Sequence, residues 1–264
     1  MSLKPLKIVH TSDVHLDSRF SSETEGSFRN SAERAFAAVV TCAIDEKADL
    51  LLIVGDLFDN NRVGEADFEF VRTQLARLDC QTVLLPGNHD VHDEKSVWHR
   101  LEVSTAGGHV HAILDPDGNQ LTLDSISARV WGRAMAEHAP ENIPLLNPPE
   151  RKSDYWNIGL AHGQVVAKRA GIGSSQITHD EINASRFDYL ALGHVHVWGD
   201  MSQGDTRAFY PGSPVAAYAS SDGGHVAIAT LSPSQETQVE RRQVDERKNT
   251  SKTESDSATA YHFV

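Results

Sequence analysis

Basic charge, cysteine and long apolar runs are what this chain has least of. Its 264 residues carry 24 Lys and Arg against 37 Asp and Glu, a formal net charge of −13. A protein that coats nucleic acid normally shows a basic excess, so that class is excluded, while a local phosphate site is not. The longest apolar stretches, residues 35–44 and 50–55, fall far short of the about 20 residues a membrane helix needs. The first seven residues, Met-Ser-Leu-Lys-Pro-Leu-Lys, do not read as a secretory signal. The only cysteines, Cys42 and Cys80, form neither a CxxC pair nor a disulfide framework and read as packed thiols. These absences point to a soluble, cytoplasmic protein without membrane association. What is there in quantity is histidine, 14 residues of it, and a hydrophobic share of 39%, enough to build a core for one large α/β domain or two small ones.

The first ninety residues alternate strand and helix. Residues 7–10 are a short apolar run, and residues 27–47 place Phe28, Ala32, Ala35, Phe36, Val39, Val40 and Ala43 at helical spacing. Residues 49–54 read as a buried strand, 64–78 as a helix striped by Phe68, Val71, Leu75 and Leu78, and 80–85 as the next strand. Such βαβαβ order implies a parallel sheet whose ligands gather outside the carboxyl ends of the strands. Short strands follow at 109–114, 120–123, 128–133, 157–161, 188–192, 206–210 and 225–231, and Thr178-x-x-Glu181 is a capping box that opens a short helix. Residues 1–232 are therefore expected to form one domain. From 233 to 264 the sequence is polar and reads as a tail, mobile over 245–258, where there is almost nothing to bury.

Five short motifs each fall where a strand ends: Asp13-Val-His15, Gly55-Asp56-Leu-Phe-Asp59, Gly87-Asn88-His89-Asp90, Ala161-His162-Gly163 and Gly193-His194-Val-His196. Parallel topology would bring all five to one sheet edge. They offer carboxylate, imidazole and amide oxygen without thiolate, a set suited to hard or borderline divalent ions. One ion would leave donors unused. Two ions bridged by a carboxylate would use them all, the arrangement that activates a hydroxide and holds both oxygens of an in-line phosphoryl displacement.

In that order the motifs DxH, GDxxD, GNHD, H and GHxH resemble the calcineurin-like metallophosphoesterases. The surroundings of Asp13 and Asp56 are similar to the bacterial SbcD branch of the Mre11-type nucleases, and the likeness runs over roughly residues 5 to 215. It implies a four-layer α/β/β/α sandwich. It implies also that Asp13, His15 and His196 hold one ion and Asn88, His162 and His194 a second, with Asp56 bridging. Manganese is the first choice of metal, with iron, zinc or magnesium as alternatives. His89 would stand free of the ions as acid toward the leaving oxygen, which agrees with its position: adjacent side chains do not easily share an ion with Asn88. Asp90 is then a candidate to orient the His89 ring.

Beside these stand positions with two readings. Asp59 either steers a substrate or water or caps the next helix, and Arg62 either touches a phosphate or is solvated. Lys168 and Arg169, on a glycine-containing loop after His162, either grip a phosphate chain or are surface charges. Gly212-Ser213 is either a turn that passes near the site or a plain turn. His10 is placed to support a ligand, Trp98 and Trp198 are expected in the core, and His92, His99, His109 and His111 at the surface. The implied activity is a DNA exonuclease or phosphodiesterase acting on DNA ends, with a phosphodiesterase on a small nucleotide and a non-catalytic scaffold as alternatives. An SbcC/Rad50-type ATPase partner belongs to the resemblance, although the segment that usually docks on it is expected to be absent.

Overall fold

The structure, a computed structural model, describes residues 3–17, 30–171, 173–216 and 223–245. In chain order its first half runs β1 (Leu6–Thr11), α1 (Ser31–Asp45), β2 (Leu50–Val54), α2 (Glu65–Leu75), β3 (Gln81–Leu85), β4 (Val110–Ala112), β5 (Asn119–Leu123) and β6 (Ala128–Gly132). Then come β7 (Trp156–His162), β8 (Gln164–Val166), β9 (Gln176–Thr178), α3 (His179–Ser185), β10 (Tyr189–Gly193), β11 (Gly199–Asp200), β12 (Ala208–Tyr210), β13 (His225–Ser232) and β14 (Gln235–Gln243). One sheet has the order β14-β13-β1-β2-β3-β4 and the other β11-β12-β10-β7-β6-β5, while β8 and β9 pair apart. Strands β1 to β4 are mutually parallel, as are β6, β7, β10 and β12.

Burial on both faces explains the unbroken apolar run of β2. Leu50, Leu52 and Val54 face the second sheet, where they meet Ile158, Leu160 and Ala191. Leu51 and Ile53 face the helices, in a core shared with Phe36, Val39 and Val40 of α1 and Phe68 and Val71 of α2. On the far side of the second sheet Ala161, Leu190 and Leu192 pack with Ile182 of α3. The layers are thus α/β/β/α, the architecture the motifs imply. Helix starts follow local chemistry: Asn30 accepts from Glu33 N at 2.9 Å, and Thr178 and Glu181 form the reciprocal cap written in the sequence. Residues 27–29, the beginning of the expected first helix, lie outside the described residues.

The expected tail needs correcting. Residues 235–243 are no tail but the edge strand β14, paired antiparallel with β13. Asp245 is buried, where it holds Arg34 through both carboxylate oxygens and accepts from Ala216 N at 3.1 Å. An edge strand with solvated side chains owes its place to main-chain pairing, so hydropathy carries no sign of it. Residues 246–264 lie outside the described residues. Among the described residues no helix is long and apolar enough to cross a membrane.

Candidate metal centre

The carboxyl ends of β1, β2 and β3 from one sheet and of β7 and β10 from the other meet at one edge of the sandwich. There the chain turns sharply. Asp13, His15 and Asp56 adopt left-handed backbone at φ 57°, 55° and 52°, and His194 sits at 102°. Each such residue costs about 1–3 kcal/mol and persists only where its surroundings over-determine it. Here they do: Asp13 N donates to Gly55 O at 3.1 Å, and Val14 N and His15 N both donate to Asp56 O at 2.9 and 3.0 Å. Gly55 is needed for closeness, because a Cβ there would lie 2.0 Å from the His162 ring.

The donors converge from both sheets. His15 Nε2 and His196 Nε2 are 3.2 Å apart, and Asp13 Oδ1 is 3.6 Å from the latter. On the other side Asn88 Oδ1 lies 3.0 Å from His162 Nε2 and 2.9 Å from His194 Nδ1. Between them Asp56 Oδ2 is 3.4 Å from His162 Nε2. Among the described residues, three sets have donor atoms all within 4.8 Å of one another: Asp13, His15 and His196; Asp13, Asp56 and His162; and His15, Asp56 and His89. Facing imidazole nitrogens backed by buried carboxylates and an amide oxygen suit divalent cations, so the residues present fit the metal that the motifs imply. Burial disfavours charge on Asp56, yet His162 beside it holds its carboxyl well below the usual range.

Asp90 does not orient His89, contrary to expectation. Its carboxylate is fully buried and accepts from Gly87 N at 2.7 Å, Phe58 N at 3.2 Å and Asp56 N at 3.3 Å. Burial first, and then Asp56, push it up to about 6. It cross-ties two motif turns from beneath, while Trp98 Nε1 donates to its carbonyl at 2.6 Å. The partner of His89 is Asp59, whose carbonyl lies 2.9 Å and carboxylate 3.6 Å from Nδ1. Neighbouring side chains on a tight turn diverge, so Asp90 goes inward as His89, 43% exposed, stays out. Asp59 also lies 3.5 Å from His15 Nδ1.

The phosphate-contact candidates separate. Arg169 is tied down, donating to Gln176 O at 2.9 Å and to both oxygens of Glu181 at 2.8 and 3.0 Å. It is an anchor of its loop on α3 rather than a hand held out to substrate. Lys168 and Arg62 are exposed, Arg62 N donating to Asn60 Oδ1 at 2.9 Å. Ser213 does reach the site, donating Oγ to Asp13 O at 2.7 Å. His10 lies between the sheets with Nδ1 2.9 Å from Tyr189 Oη, and burial lowers it to about 3. Sequence reasoning missed His138, exposed and edge-on to His194 at 6.3 Å. It stands outside the five motifs, just before Pro140, so nothing in its spacing marks it.

A calcineurin-like phosphoesterase family pattern matches residues 6–198. The chain belongs to that family, which places it among the metallophosphoesterases, hydrolases of phosphate esters. It is similar to the metallophosphoesterase YhaO of Bacillus subtilis (strain 168), 29% identical over 84% of this chain and 56% of that protein. It is also similar to the DNA double-strand break repair protein Mre11 of Methanopyrus kandleri, 24% identical over 79% of this chain and 49% of that one. The chain thus spans about half the length of these relatives. Among solved structures, a dimetal phosphatase from Danio rerio shares the fold at a TM-score of 0.59 and 10% identity, over 91% of this chain and 97% of that one.

Proposed function

We propose that this chain is a two-metal phosphodiesterase of the Mre11/SbcD type that acts on DNA ends, with manganese as its metal. The observation that carries the reading is a seven-residue donor set drawn from both sheets with an exposed imidazole beside it. Asp13, His15 and His196 would hold one ion, Asn88, His162 and His194 the other, and Asp56 would serve both. Such ions supply Lewis acidity and bring the pKa of water near neutrality, about 7 in favourable sites. The chain's own contribution is geometry and a proton. Two left-handed turns and the Asp90 cross-tie hold the carboxylates still, and His89, its Nδ1 engaged by Asp59, offers Nε2 to the leaving oxygen. The similarity to an Mre11 protein over most of this chain supports the DNA substrate.

One observation favours a smaller substrate instead. With Arg169 committed to Glu181, two of the three candidate phosphate contacts, Arg62 and Lys168, remain, on a chain of net charge −13. Two contacts imply a slope of roughly −2 in log affinity against log salt. The decisive experiment gives the manganese-loaded protein linear duplex DNA, cyclic nucleotides and nucleotide monoesters side by side. Turnover of cyclic nucleotides with no cleavage or binding of DNA at low salt replaces the first reading with the second.

A further inference from the structure

One short segment touches the loops of both candidate ions, and each of its ends touches a different one. At its start Tyr210, buried at the end of β12, donates its hydroxyl to Gly163 O at 2.6 Å and accepts from Val165 N at 2.9 Å. Those are the peptide groups that directly follow His162. At its end Ser213, fully buried, donates Oγ to Asp13 O at 2.7 Å and its backbone N to His196 O at 3.0 Å. Asp13 belongs to the first sheet's loop and His196 to the second's, so Ser213 stitches the two across the edge of the sandwich. Between them Gly212 turns at φ +75°, where a Cβ would stand 2.9 Å from His196 O.

We propose that Tyr210 and Ser213 are positioning residues that set the two metal sites separately: Ser213 the site of Asp13, His15 and His196, Tyr210 the site built on His162. This rests on the two-ion reading given above. The physical reason is that both hold main chain rather than donor atoms. Asp13 keeps its left-handed backbone only while its carbonyl and amide are both engaged, and losing the Ser213 hydroxyl leaves that carbonyl buried and unpaired. Without the Tyr210 hydroxyl, the turn that presents the His162 ring loses two hydrogen bonds at once. Tyr210→Phe keeps the ring and its packing, and Ser213→Ala removes one atom, which besides the brace to Asp13 accepts from Val215 N at 3.1 Å within its own turn.

The test is titration of chelator-stripped protein with Mn²⁺ by calorimetry, with thermal unfolding of the metal-free proteins alongside. Wild type should take two ions. Each single variant should weaken one binding step by roughly 10- to 100-fold, the range seen when groups that support a ligand are removed, and leave the other step in place. The double variant should weaken both. In a His15→Ala background, where one ion site is already disabled, Tyr210→Phe should weaken the remaining ion and Ser213→Ala should not. Equal weakening of both steps by either single variant, or unchanged affinities with both, overturns the proposal. A wild-type protein that takes fewer than two ions overturns the two-ion reading, and this inference with it.

Discussion

Loading the site with metal should expel protons, and the structure says from which side chains. Burial disfavours a charged His162, but Asp56 at 3.4 Å outweighs it and the ring is pushed up to about 9. His15 is also raised: burial acts against it, and Asp59, Asp56 and Asp13 together prevail. His194 is pulled down to about 4 and His196 is lowered, both chiefly by burial. At pH 7 the metal-free site therefore holds His162 as imidazolium and His194 as neutral imidazole. A ligating nitrogen must give up its proton, so loading at pH 7 should release about one proton from His162, a further share from His15 and none from His194. Removing a proton at pH 7 from a group held at about 9 costs about 2.7 kcal/mol, close to 100-fold in affinity. Manganese affinity should thus rise about tenfold per pH unit from 7 toward 9 and level off above. Calorimetry at pH 7 in buffers of different ionisation enthalpy counts the protons directly.

The same group sets the pH dependence of the metal-free fold. His162 lies above its ordinary 6.5, so its contribution is complete below 6.5 and is lost as pH rises through about 9. The contribution is about 3 kcal/mol. The depressed Asp56 expresses the same interaction and adds nothing further. Chelated protein should therefore melt lower at pH 9 than at pH 6.5. Zero proton release at pH 7, together with metal affinity that ignores pH, would refute the Asp56–His162 pairing.

Three substitutions test the division of labour. Asp56→Ala should cost both ions, because its carboxylate lies within reach of donors from each set; elemental analysis that finds one ion retained at wild-type affinity contradicts a shared carboxylate. His89→Ala should keep both ions and lose roughly 10²- to 10⁴-fold in rate. Aryl esters, which leave without protonation, should lose less than nucleotide esters; loss of an ion would instead make His89 a ligand. Asp59→Asn removes the carboxylate beside His89 while leaving the main-chain carbonyl that holds Nδ1, so it should cost less rate than His89→Ala. Because Asp59 also lies beside His15 Nδ1, the double variant should be no worse than His89→Ala at saturating manganese, and losses that still multiply there would show that Asp59 acts on the reaction apart from both imidazoles.

What the sequence by itself determined is whatever depends on neighbours along the chain. The five motifs sit at strand ends because a buried apolar run must stop where a glycine-polar turn begins, and that is local chemistry. The Thr178–Glu181 cap and the alternating faces of β2 are legible for the same reason. That the adjacent Asn88 and His89 side chains diverge on one turn is local as well, whereas which of the two would hold metal is implied by the resemblance.

The tertiary structure decided what depends on contacts between distant segments. Asp90 adjoins His89 in sequence and Asp59 lies 30 residues away, and only the fold turns the first into the floor of the site and the second toward the imidazole. Arg169 looks free until α3 brings Glu181 against it. Strand β14 is invisible to hydropathy because main-chain hydrogen bonds to β13, not buried side chains, hold it. The donor set itself is a product of two sheets: neither sheet carries enough of it alone, and hydrogen bonds across the sandwich, at Ser213 and at His162 to Val54 O, hold the two halves within reach of one another.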